Sequence, residues 1–137
     1  MNKNTLRSIG AVVAGAIVGV ILSTGTDAVM RAFGFFTEGG PPSGGGPFVF
    51  ATIYRTVYGV ASAYIAARLA PNRPMMHALV LGVLGIVAGA EGAGAMWSRL
   101  PALGSRWYPI ALIVLALPTA WWGGKLRLLQ LDGRVDD

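Results

Sequence analysis

The sequence predicts an all-α fold: an antiparallel bundle of four transmembrane helices, forming a single domain over residues 1–137. Three observations predict it. Hydrophobic residues make up 54% of the chain and charged ones only 12%, about half the charged share of a soluble domain. Uncharged runs extend from Ser8 to Thr26, from Pro74 to Ala90 and from Trp107 to Gly124, which is nineteen, seventeen and eighteen residues. Each falls within the roughly 17–25 residues a helix needs to cross a bilayer. The third observation is a missing polar face. A soluble bundle with a thick core would still show polar residues at a 3.6-residue period, and neither Ala11–Leu22 nor Ile110–Leu117 does. A lipid surround accounts for helices that are apolar on every side.

The remaining composition narrows the partners. The net charge of +5 comes from basic residues scattered at helix ends, a distribution that fits membrane topology rather than nucleic-acid binding. The chain has no cysteine, so it has no disulfide framework, thiol catalyst or thiolate metal site. The lipid bilayer is the expected surround. No cofactor is implied.

The first span is placed at 8–27. A short basic segment precedes it, as in a secretory signal, but the apolar run continues to about Gly25 and no small-x-small cleavage site stands out, so a retained helix is preferred. Ala11, Gly15, Gly19, Ser23 and Asp27 recur every four residues, and Gly15-x-x-x-Gly19 is a spacing that lets two backbones approach closely in lipid. Ala28–Phe36 either extends this helix or lies along the interface. Residues 37–47 are dominated by glycine and proline and are read as a flexible loop. No Gly-Lys-Ser/Thr closes it, so it is not a phosphate loop.

The second span is placed at 48–69 and the third at 75–97, joined by Ala70-Pro-Asn-Arg-Pro74, a turn whose last proline suits the first position of a helix. In the third span Gly82, Gly85, Gly89 and Gly92 continue a nearly side-chain-free face, the strongest packing seam in the chain. The fourth span is placed at 107–124. Trp107 and Tyr108 stand at one end and Trp121 and Trp122 at the other, as aromatic belts would. Pro118 interrupts its backbone ladder, and the tail is expected to loosen beyond Leu131. The segments joined on the side of both termini hold seven lysines and arginines against three on the other (Arg31, Arg99, Arg106). That asymmetry places both termini in the cytoplasm and the protein in the cell inner membrane.

Two charges interrupt the spans. Arg55 and Glu91 each lie seven residues from the estimated outer end of their helix, ~10 Å deep at 1.5 Å per residue. A lone charge there costs roughly 2.5–3.5 kcal/mol, so the two are expected to pair, with Asp27 as a third member and Tyr58 nearby. Arginine suits the role because its fork can bridge two carboxylates. Two readings stay open: a buried clasp that fixes helix register, or a polar cavity open to the outer face with Thr52, Tyr54, Thr56, Tyr58 and Ser62 in its lining. His77 stands alone and reads as interfacial or capping rather than as a metal ligand. No nucleophile, base and orienting group recur at a catalytic spacing.

Ala51-Thr-Ile-Tyr-Arg-Thr-Val-Tyr-Gly59, Ala67-Arg-Leu-Ala-Pro71 through Arg73-Pro-Met-Met-His-Ala-Leu79, and Trp107-Tyr-Pro-Ile-Ala111 with Pro118–Gly124 resemble a group of uncharacterised four-span bacterial membrane proteins. The resemblance covers about half the chain and implies a fold and a membrane address. Small multidrug transporters carry a mid-membrane glutamate in the first span, which is absent here, and the glycine-rich arginine motif of fluoride channels is absent too. The expected role is structural or accessory, without catalysis, with a second copy or another membrane protein held along the glycine seams. The alternative is a homo-oligomeric small transporter or channel centred on Arg55 and Glu91.

Overall fold

The computed structural model describes residues 2–35, 46–97 and 107–135. They form four α-helices, α1 (Lys3–Ala32), α2 (Gly46–Leu69), α3 (Pro74–Met96) and α4 (Trp107–Val135), and no strand among the described residues. Each is long and apolar enough to cross a membrane, so the chain is a multi-pass membrane protein. Most of the loop placed at 37–47 lies outside the described residues; Gly46 and Pro47 already belong to α2.

Two helices outrun their predicted spans. α1 continues five residues past Asp27 and closes where Gly34 adopts φ +78°. The Gly34 N–H donates to Arg31 O (3.0 Å) and the Phe35 N–H to Met30 O (2.9 Å), a Schellman closure that glycine makes without steric penalty. α4 runs to Val135, beyond the expected loosening at Leu131. Lys125–Leu131 consists of good helix formers, and Tyr64 of α2 donates to Gln130 Oε1 at 2.6 Å, which ties the extension to the bundle.

Between α2 and α3 the chain reverses in four residues. Arg73 takes the left-handed conformation (φ 43°, ψ 63°), Pro74 opens α3, and Met76 N–H donates to Arg73 O at 3.0 Å. His77 Nδ1 donates to the same carbonyl at 3.1 Å. The exposed histidine thus hydrogen-bonds within the first turn of α3, at the turn end of the bundle.

The helices alternate in direction. Along α1 and α2, Gly15 meets Ala66, Gly19 meets Ser62, and Asp27 meets Arg55. Gly82 meets Ala120 and Gly89 meets Ile113 along α3 and α4. α2 and α4 run parallel, with Phe48 beside Tyr108 and Ala63 against Gly123. α2 packs on the other three helices, whereas α1 and α3 share only a small contact, which includes Gly15 against Leu81.

Toward the turn end the interior is filled by small residues, the buried cluster of Ala63, Ala67, Ala78 and Ala120, while Met30, Phe48 and Tyr54 are buried toward the other end. Ile9, Val13, Ile17, Val57 and Val114 point outward instead. In lipid, large apolar groups gain nothing from facing another helix, and close backbone contact supplies the attraction. The predicted seam of α3 is present from Gly82 to Gly89 and stops there, because among the described residues nothing lies within 4 Å of the position a Gly92 side chain would take. The tightest approach to a neighbouring backbone was not foreseen. A Cβ on Gly123 would sit 2.6 Å from both Ala63 Cβ and Val60 O.

Gly123→Leu should therefore lower the unfolding free energy by about 1–3 kcal/mol, the usual range for overpacking. Gly92→Leu should change it by no more than about 0.5 kcal/mol. Unfolding of the two variants in mild detergent, followed by circular dichroism, measures the contrast.

Candidate functional site

At the end of the bundle opposite the 70–73 turn, α1 supplies a carboxylate and α2 supplies its partners. Asp27 Oδ1 accepts from the Tyr54 hydroxyl and Oδ2 from Arg55 Nη2; the second contact is also an ion pair. One turn deeper, the hydroxyls of Thr26 and Tyr58 are 2.8 Å apart. Tyr54 and Tyr58 project from the same face of α2, four residues apart, and their rings approach at 5.8 Å. Met30, Ala51 and Tyr54 form a buried cluster, with Tyr58 and Tyr108 packed against it. Phe48 then bridges to the aromatic start of α4, with ring centroids 5.0 Å from Tyr108 and 6.4 Å from Trp107. Aromatic rings thus flank the clasp on one side, while the pair itself is half-buried, with the Arg55 side chain 33% and the Asp27 side chain 20% exposed.

Of the residues expected to cluster, Asp27 and Arg55 come together, and Tyr58 lies beside them through Thr26. Glu91 does not join them. It is exposed on α3, and among the described residues no hydrogen bond or ion pair reaches it. The reason is helical phase. α3 turns Gly82 and Gly89 toward α4, and at 3.6 residues per turn a residue nine positions after Gly82 lies on the opposite side of the helix. Azimuth separates Glu91 from Arg55. Tyr54 takes the place given to Glu91.

Below the clasp lies a cavity of about 470 Å³ to which all four helices contribute. Its polar groups are Ser23 and Thr24 of α1, Arg55, Thr56 and Ser62 of α2, and Thr119 of α4. Two of the hydroxyls are satisfied by their own helix: Thr56 donates to Thr52 O at 2.7 Å and Thr119 to Leu115 O at 2.9 Å. Two polar atoms are not. Arg55 Nε and Ser62 Oγ are buried without a hydrogen-bond partner. Of the lining foreseen on α2, Thr56 and Ser62 are in place; Tyr54 and Tyr58 turn to α1 instead. Clasp and cavity therefore coexist, with Arg55 belonging to both.

Among the described residues no group of His, Asp and Glu side chains has the makings of a metal site. The helix-packing glycines stand apart from this chemistry, except that Gly19, Gly82 and Gly85 also form cavity wall. Comparison of the chain with known protein families, with characterised proteins and with solved structures finds no match.

Asp27→Leu and Arg55→Leu should each destabilise the fold by roughly 1–3 kcal/mol, the range for leaving a buried polar partner unsatisfied. The double variant should lose less than the sum of the two, because no charge is then left unpaired. Glu91→Gln should be neutral within about 0.5 kcal/mol. A double-mutant cycle by reversible unfolding in detergent gives all four values.

Proposed function

We propose that the protein is a non-enzymatic component of the bacterial inner membrane, with both termini in the cytoplasm, that serves a structural or accessory role beside another membrane protein. The observation that carries this reading is the state of Glu91. An exposed carboxylate on the apolar outer half of α3 is costly to leave in lipid, by roughly 2.5–3.5 kcal/mol for acids near mid-helix. Among the described residues nothing lies within 4 Å of a side chain at Gly92 or Gly94 beside it, so a second helix can approach that stretch at backbone distance. A partner span bearing a hydrogen-bond donor or a cation at that depth meets both needs. A two-fold copy of the same chain suits it less well, since it brings two carboxylates together.

The cavity beside Arg55 favours a second reading, a small transporter assembled from several copies. Weighing against it, the alanine cluster of Ala63, Ala67, Ala78 and Ala120 closes the cavity toward the turn end, so one chain holds no path across the bilayer.

A photo-crosslinking amino acid at Gly92, in cells, should give a protein adduct of defined mass, lost when Glu91→Leu is added. The same amino acid at Val13, on the exposed side of α1, should give none. Absence of a protein adduct at Gly92 would overturn the accessory reading. An adduct of twice the chain mass, with ion leakage from reconstituted vesicles, would replace it with the transporter.

Because the chain is free of cysteine, its orientation is directly testable. A cysteine at Ser43 should react with a membrane-impermeant maleimide in intact cells, and one at Asn4 or Asp132 only after lysis. The reverse pattern would invert the topology drawn from the lysine and arginine count.

A further inference from the structure

The turn end of the bundle gathers cations from two helices. Arg68 lies in the last turn of α2, and its Nη1 donates to the Tyr64 hydroxyl at 3.2 Å. Tyr64 donates in turn to Gln130 Oε1 of α4 at 2.6 Å, and Arg127 Nη1 donates to the same oxygen at 3.4 Å. One chain of hydrogen bonds therefore holds two guanidiniums near each other across the α2–α4 seam. Helical phase accounts for the α4 half. Gly123 faces Ala63 of α2, and Arg127, Gln130 and Arg134 continue that face at spacings of four, three and four. Lys125 is turned another way, its Nζ 5.7 Å from the Trp121 ring centroid.

Two properties of this cluster select a ligand. Its charge is uncompensated: among the described residues no carboxylate pairs with Arg68 or Arg127. Asp132, the acid described at this end, comes two residues after Gln130 and so falls on the far side of the helix. Its acceptors are also engaged from within. Gln130 Oε1 already takes two donors, which leaves the amide N–H groups and the remaining guanidinium N–H groups to donate elsewhere. Donors bearing two positive charges suit an anion with several oxygens, and phosphate matches the guanidinium fork.

Depth decides which phosphate. Arg127 stands three residues past Gly124, where the uncharged run of α4 ends, or ~4.5 Å along the helix. That is within a headgroup layer of about 5–7 Å per leaflet. Trp121 and Trp122, one to two turns before it, are exposed and suit the interface itself. Leu69 and Leu126 are exposed beside the arginines and offer apolar contact to the upper part of an acyl chain.

We propose that Arg68 and Arg127 form, across the α2–α4 seam, a binding site for the phosphate of an anionic phospholipid in the leaflet at the turn end. Both guanidiniums donate to its free oxygens, and the Gln130 amide supplies a further donor. Basic pockets between transmembrane helices at headgroup level recognise anionic lipids in this way. A zwitterionic lipid brings its own cation to the same place and forfeits much of the attraction. The site uses no residue of the clasp or the cavity. It requires neither the accessory partner proposed for α3 nor a particular orientation of the termini.

The test presents full-length protein in mild non-ionic detergent with equal amounts of dioleoyl phosphatidylglycerol and dioleoyl phosphatidylcholine, and reads the bound lipids by native mass spectrometry. Phosphatidylglycerol should be favoured about twenty-fivefold, about fivefold for each arginine, as ~1 kcal/mol per basic residue near an anionic headgroup gives. Arg68→Gln and Arg127→Gln should each lower the ratio about fivefold, and the double variant should bring the two lipids level, with melting temperatures unchanged. Arg31→Gln removes the same charge from an exposed position in the last turn of α1, at the other end of the bundle, and should leave the ratio as it was. A hundredfold excess of inorganic phosphate at constant ionic strength should not displace the lipid. Equal retention of the two lipids by the unaltered protein would overturn the proposal, whatever the variants do. So would a loss at Arg31→Gln as large as that at Arg68→Gln, or displacement by inorganic phosphate, which would make the cluster a site for a soluble anion.

Discussion

Lipid on the outside removes the force that ordinarily drives helices together. A leucine between two helices and a leucine facing an acyl chain are nearly equivalent, so association rests on how closely the backbones can approach and on the few polar contacts made across the gap. That constraint explains why alanine and glycine occupy the interior here, with valine and isoleucine pushed outward. It also explains why α2 and α4 meet where Gly123 leaves no room for a methyl group. Packing of this kind is short-ranged. It fixes α2 against α4 and α3 against α4, and it leaves α1 held by little more than the Gly15 and Gly19 contacts at one end.

The Asp27–Arg55 pair supplies what is missing at the other end. Two glycine contacts let α1 pivot about Gly15; a hydrogen-bonded ion pair three turns away removes that freedom. Tyr54 contributes a second donor to the same carboxylate, so both oxygens of Asp27 are engaged and the unpaired state is avoided. The pair thus adds a polar tie between α1 and α2 to the glycine contacts, beside the aromatic cluster of Tyr54, Tyr58 and Tyr108.

Much of this was legible from the residues alone, because lipid imposes simple rules. Three of the four spans followed from uncharged run length and the second from an apolar run interrupted only by Arg55, and the α1 seam and most of the α3 seam followed from spacings of three and four. The ion pair was foreseen in kind, as a buried arginine seeking a carboxylate, yet assigned to the wrong one. Depth can be counted along a chain, but azimuth requires knowing which face of each helix is turned inward. The information was present: the seam at Gly82 and Gly89 already points Glu91 away. The ends of α1 and α4 were missed for a different reason. Apolar run length marks where hydrocarbon stops, whereas a helix stops where its backbone is capped. For α1 that is Gly34, seven residues past the first charge. The close approach at Gly123 had a weaker signal, a Gly-Gly pair at the end of an apolar run beside two tryptophans, which reads equally well as a helix terminus.

The cavity follows from these same two anchors. α1 is drawn against α2 along its whole length, by glycine near one end and by the carboxylate at the other, while α3 follows its own seam onto α4. Two helices committed to different neighbours need not touch each other, and α1 and α3 part beyond Leu81. Arg55 is placed at that parting because only a long side chain can cross from α2 to Asp27, and its stem becomes wall. Nη2 is held by Asp27 and Nε is buried without a partner, so the arginine contributes its stem, not a free donor, to the cavity wall.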